Sequence, residues 1–148
     1  MVKASLTLAA LLFAAMQNAP VGNGNFSAEL VAYDDSRITG YTDNRPGAVC
    51  QRDFEFHGTI ASNSTQSGYD GRYRWRSMGG IGPEQGFSIG QNDLPLKLVV
   101  PVKVALGRSV TVTAQLEVTK PEHVYSPEIA LTYACKPNGT AKPGYLPQ

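Results

Sequence analysis

The chain has 148 residues, with 13 lysines and arginines against 12 aspartates and glutamates, and two cysteines. This length accommodates a single domain of ordinary size. Lys3 is the only charged residue among the first 22, so the rest of the chain carries equal numbers of basic and acidic residues. A neutral domain has no overall field that attracts nucleic acid or an anionic membrane, and the composition argues against both partners.

The N-terminus has the pattern of a secretory signal peptide. Lys3 precedes an uncharged apolar run from Ala4 to Met16, which is shorter than the ~20 residues of a membrane-spanning helix. We therefore expect residues 1–22 to be a cleaved signal peptide. The mature protein is then secreted, into the extracellular space or a periplasm, with no membrane insertion.

The remainder of the chain alternates apolar and polar residues, which is typical of β-strands. Weaker strands are predicted from Phe26 to Tyr33, around Ile38 and from Gly86 to Ile89. Between them, one face of the segment from Cys50 to Ile60 carries Phe54 and Phe56, and Arg52 is the only charged residue on that face.

The later part of the chain contains one more weak strand and two clear ones. Leu96 to Leu106 contains Pro101 and follows Pro95, and proline cannot donate to a strand ladder, so an edge or bulged strand is predicted. The segment from Val110 to Thr119 has the cleanest alternation. The last strand presents Ile129, Leu131, Tyr133 and Cys135 on one face.

Seven to nine short strands at this spacing predict an all-β fold, an antiparallel β-sandwich over residues 23–135. The order Cys50, Trp75, Cys135, with Tyr133 two residues before the second cysteine, is typical of an Ig-like sandwich. Residues 136–148 contain three prolines and two glycines, and we expect a disordered C-terminal tail.

The two cysteines bear on how this core is held together. In an exported chain they most simply form one disulfide, Cys50–Cys135, and the alternative is two free buried thiols. Trp75 and Tyr133 are the predicted core anchors, with Trp75 packed near the bridge.

Several motifs resemble small exported Ig-like domains of bacterial, especially actinobacterial, secreted proteins and lipoproteins. They are the Cys-x3-Phe-x-Phe-x-Gly-Thr-Ile segment from Cys50, Tyr-Arg-Trp at Tyr73, Ser-Met-Gly-Gly at Ser77, the Gly107 to Thr113 segment, and Tyr-x-Cys at the end of the domain. The resemblance implies a fold, a bridge and an export route. It carries over no functional residue.

Three features are candidates for binding. Arg72, Arg74 and Arg76 share one strand face, and they form either a ligand face for acidic polysaccharide or phosphate, or cross-strand ion pairs with Asp53, Glu55 and Glu117; we favour pairing. The polar loop before this strand offers a candidate binding surface or a solvated linker, and its candidate residues are Asn63, Gln66, Tyr69 and Asp70. Met78 and Ile81, in a glycine-rich segment, form either a small apolar contact point or a cover for the end of the sandwich.

An enzyme is difficult to build from this chain. Both cysteines are assigned to the bridge, and His57 and His123, the two histidines, lack the spacing of a zinc site. We therefore predict no enzymatic activity, no cofactor and no metal. The favoured function is a secreted, non-catalytic binding module for a protein or glycan at the cell surface. The alternatives are a hydrolase inhibitor that presents one loop, and an enzyme of unknown class. The sequence carries no indication of oligomeric state.

Overall fold

The computed structural model describes residues 26–62, 69–90 and 93–139, and every regular element in these ranges is a β-strand. In chain order they are β1 (Phe26–Ala32), β2 (Arg37–Thr42), β3 (Val49–Ser62), β4 (Tyr69–Ser77), β5 (Gly80–Ile81), β6 (Gln85–Ile89), β7 (Leu94–Ala105), β8 (Ser109–Lys120), β9 (Val124–Tyr125) and β10 (Ile129–Pro137). The predicted all-β class is confirmed. No helix among the described residues is both long and apolar enough to cross a membrane.

The strands form two sheets that pack face to face. The small sheet has the order β1-β3-β7, and the large sheet has the order β2-β10-β8-β4-β5, with β6 also paired to β4 and β9 to β8. Every pair is antiparallel except β2 and β10, which run parallel. In an Ig domain, strands A, B and E are neighbours in one sheet and C, F and G in the other. The pairings place β1, β3 and β7 in the positions of A, B and E. They place β4, β8 and β10 in the positions of C, F and G, so the strand order is Ig-like.

The alternation seen in the sequence places one face of each long strand in the core. On β8, Val112, Leu116 and Val118 are fully buried, and on β3 the same is true of Phe54 and Phe56. Side chains on a strand point alternately to opposite faces, so these residues fill the space between the sheets. Arg52, the charged residue on the apolar face, is exposed and forms an ion pair with Asp34.

The predicted disulfide between Cys50 and Cys135 is present and links the two sheets. The bridge joins β3 to β10 with a Cα–Cα distance of 5.6 Å across a sequence separation of 85. In the chain-entropy model, closing a loop of that order stabilises the folded state by about 4–5 kcal/mol. Tyr133 lies on β10, two residues before Cys135. Its ring packs edge-on against the ring of Phe54 on β3, with 5.3 Å between the two centroids.

Cys135 lies on β10, which holds the G position, whereas the second cysteine of an antibody domain lies on strand F. The expectation that Trp75 packs near the bridge is wrong. The Trp75 ring lies beside Gly58, where an added Cβ would come within 2.8 Å of it. Gly58 and Cys50 are about 25 Å apart along β3 at the usual strand rise. Trp75 is nevertheless buried, with 7% of its surface exposed.

The two prolines act as the sequence predicts. β7 is an edge strand that pairs only with β3 among the described strands, and Pro95 and Pro101 lie opposite Thr59 and Asp53. A proline at an edge leaves no ladder hydrogen bond unmade when its nitrogen faces outward.

The limits of the domain differ from the prediction in one respect. β10 continues through Lys136 and Pro137, which pair with Tyr41 and Thr42, and the Asn138 amide donates to the Thr42 carbonyl at 2.6 Å. The expected disordered tail therefore does not begin at residue 136. Residues 1–25, with the predicted signal peptide, and residues 140–148 lie outside the described residues.

Candidate functional site

The three arginines project from the outer face of β4, and two of them bind one carboxylate. Arg74 lies directly opposite Glu117 of β8. Its Nε donates to Glu117 Oε2 at 2.7 Å and its Nη2 donates to Oε1 at 3.1 Å. Arg76 Nε donates to the same Oε2 at 2.8 Å. Bidentate, charge-assisted bonds of this kind are among the strongest in proteins.

Glu117 is fully buried although it points away from the core between the sheets. The connection between β8 and β10 covers it. Tyr125 of β9 lies opposite Glu117, and Ser126 fixes the connection to β8 through its amide, which donates to the Leu116 carbonyl at 2.8 Å. Hydrogen bonds from Arg74 lower the pKa of Glu117 to about 2, and bonds from Arg76 and Tyr125 act in the same direction against the effect of burial.

Arg72 differs from the other two arginines. Its Nη1 lies 3.5 Å from Glu84 Oε2, and more than half of its side chain is exposed. The other predicted partners, Asp53 and Glu55, lie on β3 in the opposite sheet, where Glu55 pairs with Lys97 of β7. The interpretation of the arginines as ion-paired is thus correct for Glu117, and it is wrong for Asp53 and Glu55.

The strand of the arginines leads directly into a tight hairpin. Ser77 pairs with Gly80, and the two residues between them, Met78 and Gly79, have φ angles of 51° and 74°. Two left-handed residues in a two-residue loop are the geometry of a type I′ turn. The Met78 amide donates to the side-chain oxygen of Thr113 at 3.1 Å, which anchors the turn to β8.

The hairpin tip, defined as Met78 to Ile81, exposes apolar surface. Met78 is 45% exposed and Ile81 is 57% exposed. A methionine with positive φ is uncommon, because its Cβ crowds the following carbonyl. Both side chains leave about half of their surface in solvent, and Ile81 also lines a cleft beside the core residue Trp75.

Two clefts flank the hairpin tip. One, of about 340 Å³, lies between the hairpin and β7 and is lined by Trp75, Leu98, Ile81 and Gln85 among others. The other, of about 180 Å³, has a more polar lining that includes Arg76, Gln115 and Glu128. The tip is therefore a ridge of apolar residues with a hollow on each side.

The predicted binding loop is not a single feature in the structure. Asn63 and Gln66 lie outside the described residues. Tyr69 and Asp70 belong to β4 rather than to a loop, since they pair with Ile89 and Ser88 of β6. The Asp70 carboxylate accepts a hydrogen bond from the Ser88 hydroxyl.

The two histidines lie in different places. The ring of His57 packs edge-on against Tyr33 on the outer face of the small sheet, with centroids 5.0 Å apart. His123 stacks on Tyr125, and its Nδ1 lies 3.5 Å from Glu117 Oε1. In the three described ranges, no three histidine, cysteine or acidic side chains are placed to hold a metal.

Sequence reasoning missed the burial of Glu117. The residue alternates with buried apolar side chains on β8, which normally indicates a solvated position. One signal was present, since three arginines on one strand face favour acidic residues on the neighbouring strand. The cover over Glu117 comes from β9, and a strand of two residues has no periodicity to detect.

Comparison with known proteins finds similarity only at the level of distant solved structures. No protein-family model matches the chain, and no curated protein is significantly similar to it. Among solved structures, the CARDB domain of a Pyrococcus furiosus protein, determined in complex with di-metal ions, is similar at 10% identity and a TM-score of 0.37, over 77% of this chain and 94% of that one. This likeness is too distant to transfer a ligand or a function, and the Ig-like assignment rests on the strand pairings described above.

Proposed function

We propose that the protein is an exported, non-catalytic binding module that contacts a partner protein through the hairpin tip. The observation that carries this proposal is the exposure of Met78 and Ile81 on a turn that is held in place by hydrogen bonds. A turn whose backbone is already held by hydrogen bonds loses little backbone conformational entropy on binding. Methionine and arginine are also enriched in interfaces, and Arg76 lies opposite Ile81.

The strained backbone of Met78 supports the same function. A non-glycine residue with left-handed φ costs on the order of 1–3 kcal/mol and persists only where the surrounding structure imposes it. Glycine at position 78 would remove that cost. An exposed methionine that the anchored turn holds in this conformation is a candidate contact residue, because backbone strain of this kind clusters at binding sites.

Export is supported by two independent features. The apolar run after Lys3 has the pattern of a signal peptide, and the disulfide between the sheets requires an oxidising compartment to persist. An exported chain meets its partner at the cell surface or in the surrounding medium, and we place the binding function there.

The inhibitor alternative has less support. A rigid exposed turn suits a hydrolase inhibitor, but a strand-like reactive segment needs φ angles near −120°. Met78 and Gly79 have φ angles of 51° and 74°, which reverse the chain instead. The tip therefore fits a protein-binding ridge better than a substrate-like segment.

The test compares partner capture by matched variants. Mature wild-type protein, the double variant Met78→Ser/Ile81→Ser and the control Val99→Ser are immobilised and exposed to envelope and medium fractions of the producing cells. Val99 is 43% exposed, like Met78, but lies on the other sheet. We expect one set of proteins to be retained by the wild type and by Val99→Ser and lost from the double variant. Identical retention by all three folded proteins would contradict the proposal.

A further inference from the structure

We propose a second binding site, separate from the hairpin tip: the free edge of β1 takes up an extended, basic peptide segment as an additional strand. The site is a groove of about 520 Å³ between β1 and residues 127–129 of the connection that leads into β10. Addition of a strand to a sheet edge is a recurring mode of peptide recognition, in which main-chain hydrogen bonds give affinity and alternate side chains give specificity.

The prolines of β7 show which backbone groups of β1 are free. Pro95 has no N–H, so its pair with Thr59 is of the non-hydrogen-bonded type and the backbone groups of Thr59 face β1. Glu29 pairs with Thr59 and therefore directs its backbone groups to β3. Because successive residues of a strand direct these groups to opposite sides, Leu30 and Ala32 direct theirs to the free edge.

The first residue of β1 supports this assignment. Phe26 precedes Leu30 and Ala32 by an even number of positions, so its backbone groups point to the same side of β1 as theirs. The Phe26 amide donates to the Glu122 side chain at 3.2 Å, away from β3. Further along the edge, the outward backbone groups of Leu30 and Ala32 have no hydrogen-bond partner among the described residues. Both residues line the groove. The groove thus contains backbone donors and acceptors in the spacing that an added strand requires.

The lining defines the chemistry of the peptide. Glu29 and Glu128 contribute carboxylates, neither of which has an ion-pair partner among the described residues, and no described lining residue is basic. Leu30, Pro127 and Ile129 give the groove an apolar side. An extended segment that alternates lysine or arginine with apolar residues satisfies both sides, because alternate side chains of a strand point in opposite directions.

Edge protection distinguishes β1 from β7. Because Pro95 and Pro101 form non-hydrogen-bonded pairs with β3, their nitrogens face the free edge of β7. Other residues at these two positions would offer N–H groups to an incoming strand. β1 contains no proline from Phe26 to Ala32. One edge of the small sheet is therefore blocked and the other is open.

The test uses two synthetic octapeptides, one that alternates lysine with valine and one that alternates glutamate with valine. Each is titrated into ¹⁵N-labelled mature protein to about 1 mM, a range that detects even weak binding. We expect the lysine peptide to shift the Leu30 and Ala32 amide signals and to slow their hydrogen exchange, and the glutamate peptide to leave them unchanged. An added strand directs every second backbone N–H group towards β1. We expect N-methylation of the peptide residues that carry these groups to abolish the shifts, and N-methylation of the intervening residues to leave the shifts unchanged.

Variants separate this site from alternatives. We expect Glu29→Gln/Glu128→Gln, two exposed positions, to weaken the lysine peptide about tenfold while leaving the fold intact. Glu128 also lines the smaller cleft beside the hairpin tip, so the single variant Glu29→Gln, which should weaken the peptide as well, separates the two sites. The hairpin variant Met78→Ser/Ile81→Ser binds the peptide normally, so failure of either proposal is visible without the other. Absence of shifts at Leu30 and Ala32, equal binding of both peptides, or shifts that arise from dimerisation of the protein alone would overturn the inference.

Discussion

The arginine face (Arg72, Arg74 and Arg76) and the hairpin tip (Met78 to Ile81) are consecutive in the chain and opposite in character. The arginine face has the composition of a ligand site, yet Arg74 and Arg76 are bound to a carboxylate with no exposed surface. The hairpin tip is short and uncharged, yet it leaves two apolar side chains in water on a strained turn. Exposed apolar surface, rather than charge, therefore marks the better candidate for binding in this molecule.

The largest expected effect concerns the carboxylate beneath the arginine face. Glu117→Gln leaves Arg74 and Arg76 without an anionic partner, and removing one member of a buried ion pair is strongly destabilising. Because both arginines are partly exposed, we expect a loss of about 2–4 kcal/mol in the free energy of unfolding by urea denaturation. The matched control is Glu55→Gln, which removes an exposed ion pair with Lys97 and should leave the midpoint unchanged. Equal effects of the two variants would mean that the buried pairing of Glu117 contributes no more to stability than an exposed ion pair.

Acid should weaken the protein through the same carboxylate. The pKa of Glu117 in the folded state is about 2, below its ordinary value of 4.5, so the folded protein binds this proton less readily than the unfolded chain. The stabilisation is therefore complete above about pH 5 and declines as the pH falls towards 2, by up to about 3 kcal/mol. Thermal unfolding between pH 2 and 7 measures it. The Glu117→Gln variant should lack this part of the pH dependence, and an unchanged profile in that variant would refute the assignment.

The three arginines should differ among themselves. Arg74→Gln removes two hydrogen bonds to Glu117, Arg76→Gln removes one, and Arg72→Gln removes only a long contact to Glu84. We expect the melting temperature to fall most for Arg74→Gln, less for Arg76→Gln and least for Arg72→Gln. Equal decreases would mean that the face acts as a uniform basic surface.

The smallest expected effect is at the hairpin tip. Met78→Gly replaces a left-handed methionine with the residue that adopts this conformation at no steric cost. We expect the melting temperature to stay the same or rise slightly, because the relief of strain opposes the greater freedom of glycine in the unfolded chain. A clear decrease would show that the Met78 side chain stabilises the fold, and would weaken its assignment to partner contact.

The fold followed from the sequence where a local pattern determines it. Alternation on β3 and β8 identified the buried faces, and Pro95 and Pro101 predicted that β7 is an edge or a bulged strand, of which the edge position is observed. The position of Cys135 on β10 could not be read in the same way. Periodicity shows that a cysteine points inward, but the neighbours of its strand depend on pairing between distant segments.

The candidate site could be predicted less well from the sequence, because its geometry also depends on pairing between distant segments. Asp70 and Gly71 are poor strand formers, but pairing with β6 holds them in β4 and overrides that preference. The burial of Glu117 depends on Tyr125 and Ser126, which fold back over β8. Met78 and Ile81 were visible as an apolar pair, and only the hairpin geometry shows that they face water.

The most direct test of the account is the affinity of a captured partner for two folded variants. Met78→Ser/Ile81→Ser removes the apolar ridge, and Arg72→Gln/Lys120→Gln removes exposed charge at the end of the arginine face without touching the Glu117 pairs. We predict that the ridge variant loses at least about tenfold in affinity, equivalent to about 1.4 kcal/mol, and that the charge variant binds like the wild type. Loss of binding by the charge variant together with normal binding by the ridge variant would contradict the account.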